Sequence, residues 1–365
     1  MSGLRVGNVV GAMEKWAPPA LAYDWDRPGL SIGQADWPAS HVLAVLTVGP
    51  EAAQAATLAG CDMIVSHHPL IFEPLPALRT DDPHTSLCLM LAERHIACFA
   101  AHTNLDLAPG GVNDTLADLL GLVGRSALLP AAHTPQAKLV TFVPESHLDA
   151  VRKAVCEAGA GSIGAYSYCT FSAAGTGTFL PGEGTNPFAG KKGELSEEPE
   201  RRLETLTPLH LAGAVIEALR KAHPYEEPAF DLTVVDVPGP SAGLGVKGKL
   251  KKPMSLGEFS EFARQILGLG SVRILGEKSR QMERVGVLGG SGGSHVAEIG
   301  SDVDVFLTGD VPYHAALSAR ERGLAVIDAG HDGTEQVIVP VIARYLRDHF
   351  PGLRVTEFEE PGVWL

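Results

Sequence analysis

The stretch VLAVLTVGPEAAQAATLAGCDMIVSHHPLIF, from Val42 to Phe72, decides the fold class. Its apolar run Val42–Val48 predicts a strand, which precedes a predicted helix near Glu51–Leu58 and a second short strand at Met63–Ser66. The second strand runs directly into His67 and His68. Strands and helices that alternate at this spacing are typical of a layered α/β domain.

The same alternation returns near the C-terminus. Strands are predicted at Val285–Leu288, Asp304–Leu307 and Leu324–Ile327, and helices near Pro312–Glu321 and Thr334–Arg347. Thr334 is a candidate N-cap of the last helix, because its hydroxyl can accept a hydrogen bond from the first free backbone amides.

Two His-carboxylate pairs relate the halves to each other. His102 and Asp106 are four residues apart, as are His331 and Glu335, and each histidine follows an apolar strand. This similarity predicts an internal duplication, with both halves facing one central site.

The middle of the chain, roughly 130 to 250, follows a different pattern. Its β-α-β…α-β order is typical of a small ferredoxin-like α+β module. The polar stretch Gly182–Arg202 is predicted to be an exposed loop. We therefore expect a duplicated α/β domain (residues 1–128 and 246–365) that is split by an inserted module (residues 129–245).

Composition limits the class of protein. The chain has 365 residues, a formal net charge of −14 and no long basic run, so nucleic acid is not an expected partner. The five cysteines include no CxxC pair and are interpreted as reduced thiols. No apolar run is long enough for a membrane helix and no signal peptide is recognisable, so a cytoplasmic protein is expected.

Five residues at predicted strand ends are candidate metal ligands. They are His67, His68, Asp106, His331 and Glu335. Strand ends are where α/β sheets place ligand-binding groups, and imidazoles with carboxylates suit divalent metals such as Zn, Mn, Fe or Co. Each element alone has a simpler explanation: the histidine pair could be a partly exposed turn, and Asp106 could cap one.

The number of candidate ligands bears on how many metal ions are bound. One catalytic metal usually needs three protein ligands and water, whereas bridging by Asp106 and Glu335 would support two. A metal-bound hydroxide would then be the nucleophile. His102 is a candidate proton carrier, and Asp310 could hold a ligand histidine or contact substrate. The glycine-rich loop Gly289–Ser294 could cradle a phosphate with its amides.

Several motifs together resemble a known family. WDRPGLSIG (25–33), VSHHPLIF (65–72), AAHTNLD (100–106), GGSGGS (289–294), LTGDVPYH (307–314) and DAGHDGTE (328–335) stand in the order found in the hexameric dinuclear-metal family of GTP cyclohydrolase I type 2 homologues. AHPYEEPAF (222–230) resembles the inserted module of its longer bacterial members, which is itself similar to nitrogen-regulatory and divalent-cation-tolerance trimer folds.

The resemblance implies two divalent metal ions per chain on the same five residues, and a ring-shaped homohexamer. The chain departs from the family pattern at two places. Thr47 stands where members often carry Asp after the first strand, and Asp26-Arg27-Pro28 replaces the commoner Asp-Asn-Val. Both departures concern groups around the five ligands rather than the ligands themselves.

Three functions fit these observations. The first is a metal-dependent, cyclohydrolase-like hydrolase acting on a nucleotide-like small molecule. The second is a non-catalytic metal-binding or regulatory hexamer whose inserted module senses a small effector or partner. The third is a structural metal site, which the absence of cysteine from the ligand set disfavours because structural zinc sites are usually closed and cysteine-rich.

Overall fold

The computed structural model describes residues 3–130, 136–163, 166–235, 243–360 and 362. The chain divides into two compact units, of which the first combines Met1–Ala131 with Ala242–Leu365 and the second is Ala132–Ser241. Among the residues described, no helix is long and apolar enough to cross a membrane.

The strands, in chain order, are β1 (Gly29–Ile32), β2 (His41–Val45), β3 (Met63–Ser66), β4 (Ala97–Ala100), β5 (Val123–Pro130), β6 (Gln136–Pro144), β7 (Thr170–Phe179), β8 (Ser196–Pro208), β9 (Phe230–Val235), β10 (Gly243–Ser255), β11 (Arg273–Leu275), β12 (Gln281–Val287), β13 (Val305–Thr308), β14 (Ala325–Asp328) and β15 (Arg354–Glu357). The α-helices are α1 (Val6–Trp16), α2 (Pro50–Ala59), α3 (Pro83–Glu93), α4 (Thr103–Leu107), α5 (Val112–Leu119), α6 (Leu148–Glu157), α7 (Ala212–Ala222), α8 (Leu256–Ile266), α9 (Tyr313–Glu321), α10 (His331–Glu335) and α11 (Ile338–His349).

The first unit contains two sheets. One has the order β1-β4-β3-β2-β15, in which all neighbours are parallel except β1 and β4. The other has the order β11-β14-β13-β12-β10-β5, with β12, β13 and β14 parallel. Every residue of β2, β3 and β4 is buried, which explains their uninterrupted apolar sequences.

The second unit is a four-stranded antiparallel sheet of order β7-β8-β6-β9. Helices α6 and α7 cover one face, where Leu139, Val143 and Leu203 of the sheet pack with Val151 and Val215 of the helices. Phe142 and Glu200 alternate with these core residues along β6 and β8, so they lie on the other face.

The prediction of a mixed α/β protein is confirmed, whereas two local predictions are wrong. Thr334 does not cap the last helix: it is buried inside α10, and α11 begins three residues after α10 ends. The stretch Gly182–Arg202 is not all exposed loop, because Ser196–Arg202 belongs to β8 and Glu200 is buried. In both cases tertiary contacts override a local pattern of polar residues.

Candidate metal centre

The C-terminal ends of parallel strands bring the candidate ligands of the first unit together. His67 and His68 follow β3, His102 follows β4, and His331 follows β14. The His67 and His68 rings both reach the centre, with centroids 5.2 Å apart, because the regular strand has already ended at Ser66. The strand-end prediction therefore identified side chains that meet in space.

One group of potential ligands consists of His67, Asp106 and Glu335. The Nε2 atom of His67 is 3.6 Å from Asp106 Oδ1 and 3.6 Å from Glu335 Oε1. His67 Nδ1 donates to the Ala101 carbonyl at 2.8 Å, which directs Nε2 towards the two carboxylates. Two ligands of one tetrahedral metal at about 2.0–2.2 Å lie roughly 3.4 Å apart, so this spacing suits a shared cation.

The same group contains unpaired buried atoms. His67 Nε2 and Asp106 Oδ1 are both buried without a hydrogen-bond partner among the described residues. Buried polar atoms are nearly always paired, so such exceptions call for an unplaced ligand, water or ion. A divalent cation between imidazole and carboxylate satisfies both atoms, and the residues present therefore fit a metal ion.

A second group consists of His68, His331 and Glu335. Here Glu335 Oε2 is 2.8 Å from His68 Nε2 and 3.1 Å from His331 Nε2. The two oxygens of Glu335 thus face different groups, Oε1 towards His67 and Oε2 towards His68 and His331. One carboxylate therefore takes part in both groups of potential ligands.

In the second group, the histidine ring nitrogens that face away from Glu335 also have hydrogen-bond partners. His68 Nδ1 lies 2.9 Å from the Thr47 hydroxyl, and His331 Nδ1 lies 2.7 Å from Asp310 Oδ2. Asp310 itself accepts from the Ser291 hydroxyl at 2.7 Å and has a left-handed φ of +52°. Partners of this kind fix the tautomer and orientation of metal-binding histidines.

Burial and the close spacing of ionisable groups shift the pKa values in this centre. Burial by itself would raise the pKa of Glu335, but the positive charge of His67 and hydrogen bonds from the surrounding histidines hold it well below the usual value. Burial raises the pKa of Asp106 to about 6. Burial lowers the pKa of His67, but the charges of Asp106 and Glu335 overcome this and raise it to about 9. In the metal-free chain, a proton on the histidine therefore lies where a metal ion would lie.

His102 stands next to both histidines of the strand end. A ring nitrogen of each of His67, His68 and His102 falls within 4.8 Å of the others. The Nδ1 atom of His102 lies 2.7 Å from Asp26 Oδ1, and Asp26 also accepts a hydrogen bond from the Thr103 hydroxyl at 2.6 Å. Burial raises the pKa of Asp26, but these hydrogen bonds outweigh it and lower the pKa to about 2. Asp26 stands in the motif WDRPGLSIG, 76 positions before His102, so no local pattern in the sequence indicates this contact.

The glycine-rich loop does not form the predicted phosphate cradle. The amides of Gly289 and Gly290 donate to Asn113 Oδ1 and Thr334 Oγ1, each at 2.9 Å. The Gly292 and Gly293 amides donate to backbone carbonyls. A Cβ atom on Gly290 would lie 2.1 Å from Glu335 Oε1. The glycines therefore let the backbone approach the Glu335 carboxylate. Their four amides already donate hydrogen bonds within the chain.

Two exposed aromatic rings border His102. The ring centroids of Trp25 and Phe72 are each 6.4 Å from that of His102 and 6.0 Å from one another. Trp25 is 54% exposed and stacks on Tyr23. These ring faces can contact a planar ligand next to the metal-binding groups.

Comparisons with known proteins find related sequences and a related structure. A profile of the family Duf34/NIF3 (NGG1p interacting factor 3) matches residues 4–361. Proteins named GTP cyclohydrolase 1 type 2 homolog are 42% identical in Halalkalibacterium halodurans, over 90% of each chain, and 40% identical in Bacillus subtilis, over 89% of this chain and 87% of the relative. The crystal structure of a Bacillus cereus protein related to NIF3 superposes with a TM-score of 0.87 at 38% identity, covering 99% of both chains.

Proposed function

Because this chain belongs to the Duf34/NIF3 family, we propose that it is a metal-dependent hydrolase that acts on a nucleotide-like substrate and holds two divalent metal ions. The observation that carries the proposal is the division of Glu335 between two groups of potential ligands. The names of the relatives support a cyclohydrolase-like reaction.

In this proposal His67, Asp106 and Glu335 hold one ion, and His68, His331 and Glu335 hold the other. The mixed nitrogen and oxygen ligands suit Zn, Mn, Fe or Co. When bound, such ions supply Lewis-acid chemistry and activate water as a nucleophile near neutral pH.

Residues around the metal ligands have separate roles in the proposal. Asp26 holds His102 through Nδ1, so the other ring nitrogen is left to carry a proton beside the substrate. Asp310 fixes the orientation of His331. Trp25 and Phe72 offer ring faces to a planar base.

Metal content and turnover test the proposal together. Protein purified without added metal should contain about two metal ions per chain, and His68→Ala and Glu335→Ala should each lower that content. Turnover on a panel of nucleotides is then measured with the metal that was found. Retention of metal without turnover on any member of the panel would contradict the hydrolase and favour a metal-binding or regulatory protein.

The second unit supports that regulatory alternative through one observation, a cavity of about 490 Å³ formed within it. A cavity of this volume is within the range of small-molecule sites. In this alternative the second unit senses a small effector, and metal occupancy or partner binding changes with the effector without any reaction. An effector that alters metal release but is itself unchanged would favour it.

The proposal also covers the assembly, the location and the domain organisation of the chain. We propose a homohexamer in the cytoplasm, in which residues 129–245 form an inserted ferredoxin-like module between two halves of a duplicated domain, 1–128 and 246–365. Light scattering coupled to size-exclusion chromatography tests the assembly, since a monomeric mass would contradict it.

A further inference from the structure

The cavity of the second unit has an aromatic lining with an acidic wall. Phe142, Phe179, Phe188 and Tyr225 contribute rings to it, and Glu200, Glu226 and Glu227 contribute carboxylates. Among the described residues that line it, no side chain is a lysine, arginine or histidine. The lining therefore favours a ligand with an apolar body and a positive charge over an anionic one.

Glu200 is the polar group that is aimed into this cavity. It is 9% exposed, and its Oε1 accepts from the Tyr225 hydroxyl at 2.8 Å. Its Oε2 has no hydrogen-bond partner among the residues that the structure describes. Because this oxygen is reached by solvent rather than enclosed, it can accept a charge-assisted hydrogen bond from a ligand in the cavity.

The backbone around Glu200 is shaped to accept the carboxylate. A Cβ atom on Gly177 of β7 would lie 2.2 Å from Glu200 Oε2, so a larger residue there would displace the carboxylate. On the other side, the Tyr225 amide donates to His223 Nδ1 at 3.1 Å, and His223 Nε2 donates to the Phe142 carbonyl at 2.9 Å. These contacts hold Tyr225 in the cavity wall.

The aromatic rings are grouped around the same carboxylate. The Tyr225 ring centroid is 5.8 Å from that of Phe179 and 6.0 Å from that of Phe188. Glu226 accepts a hydrogen bond from the Asn186 backbone amide at 2.7 Å, and this bond connects the segment between β7 and β8 to the edge of the cavity. Arg202 stands over the Phe142 ring and is paired with Glu204, so it does not neutralise Glu200.

We propose that this cavity binds a small primary amine, whose ammonium group donates to Glu200 Oε2 and whose apolar body packs against Phe179, Phe188 and Tyr225. Charge-assisted hydrogen bonds and cation–π contacts both favour an ammonium in this position. The site is separate from the candidate metal centre, and the proposal stands independently of the hydrolase.

Three probes of the same shape test the charge requirement. Calorimetric titration of the full-length chain with 3-phenylpropylamine, 3-phenylpropanol and 3-phenylpropionate compares a cation, a neutral molecule and an anion on one apolar body. We expect the amine to bind at least about tenfold more tightly than the other two, a difference of about 1.4 kcal/mol. Equal binding of all three, or no binding of the amine up to about 10 mM, would overturn the proposal.

Matched variants test the assigned residue. Glu200→Gln keeps the shape and can still accept from Tyr225, and it should weaken amine binding at least about tenfold. Glu197→Gln, on the exposed part of the same strand, should leave it unchanged. Circular dichroism checks the fold of both, and if Glu200→Gln is misfolded, Phe188→Ala removes an exposed ring and should weaken the amine instead. Wild-type amine affinity in a folded Glu200→Gln or Phe188→Ala variant would contradict the assignment.

Discussion

The Thr47 hydroxyl lies 2.9 Å from Nδ1 of His68, whose other ring nitrogen faces Glu335. The backbone amide of Thr47 donates in turn to the carboxylate of Glu360, near the C-terminus. A hydroxyl can accept from the imidazole and so keep its Nε2 free for metal. Thr47 therefore links the His68 ring to Glu360.

Removing this hydroxyl should weaken metal binding without removing a ligand. Thr47→Val leaves His68 Nδ1 without its partner, and loss of such contacts typically lowers metal affinity about 10–100-fold. Competition with a chromophoric chelator measures the change. Thr47→Ser should bind as the wild type does, and Thr57→Val, whose hydroxyl contacts only its own helix, should also be unaffected. Unchanged affinity in Thr47→Val would show that the hydroxyl does not position His68.

The shared carboxylate predicts different metal losses from two conservative changes. Glu335→Gln removes a ligand from both groups, so the metal content should fall from about two ions per chain to well below one. Asp106→Asn affects one group only and should leave about one ion. Elemental analysis of purified protein gives both values, with the exposed Glu321→Gln as the control. Equal losses in the Glu335 and Asp106 variants would contradict the bridging arrangement.

The metal-free chain should lose stability as the pH rises from about 6.5 to about 9. The pKa values of His67 and His331 are both raised to about 9, above the unfolded value of about 6.5. Their contribution is therefore complete below about 6.5 and is lost as the pH passes through 9. Thermal unfolding in chelator should show a falling Tm across this window. Metal-loaded protein should not show this fall, since metal replaces the protons, and a flat Tm in chelator would refute the prediction.

Gly290 and Gly121 have nearly the same φ, so alanine at the two positions distinguishes backbone strain from a steric clash with Glu335. Gly290 has φ +66° and would place a Cβ atom against Glu335, whereas Gly121 has φ +67° and open space around it. Alanine at either position should destabilise the fold by about 1–2 kcal/mol because of its left-handed backbone. Only Gly290→Ala should also lower the metal content. Equal metal content in both variants, measured by elemental analysis, would mean that Glu335 tolerates the displacement.

The sequence predicted that these candidate ligands lie near one another, because the histidines follow short apolar strands, although Asp106 and Glu335 lie in the short helices α4 and α10. It did not predict the residues that hold them. His102 contacts Asp26 across 76 positions of sequence, and Thr47 contacts Glu360 across 313, so no local pattern joins them. The glycine-rich loop was misinterpreted for a similar reason, since its amides are taken by the distant Asn113 and by Thr334.

The division of Glu335 between two groups has a consequence for how the chain fills with metal. A first ion would fix the rotamer of Glu335 and leave its second oxygen already oriented for the other position. The two positions would therefore be coupled, and a binding isotherm would depart from that of two independent sites. One side chain would in this way make the occupancy of each position depend on the other.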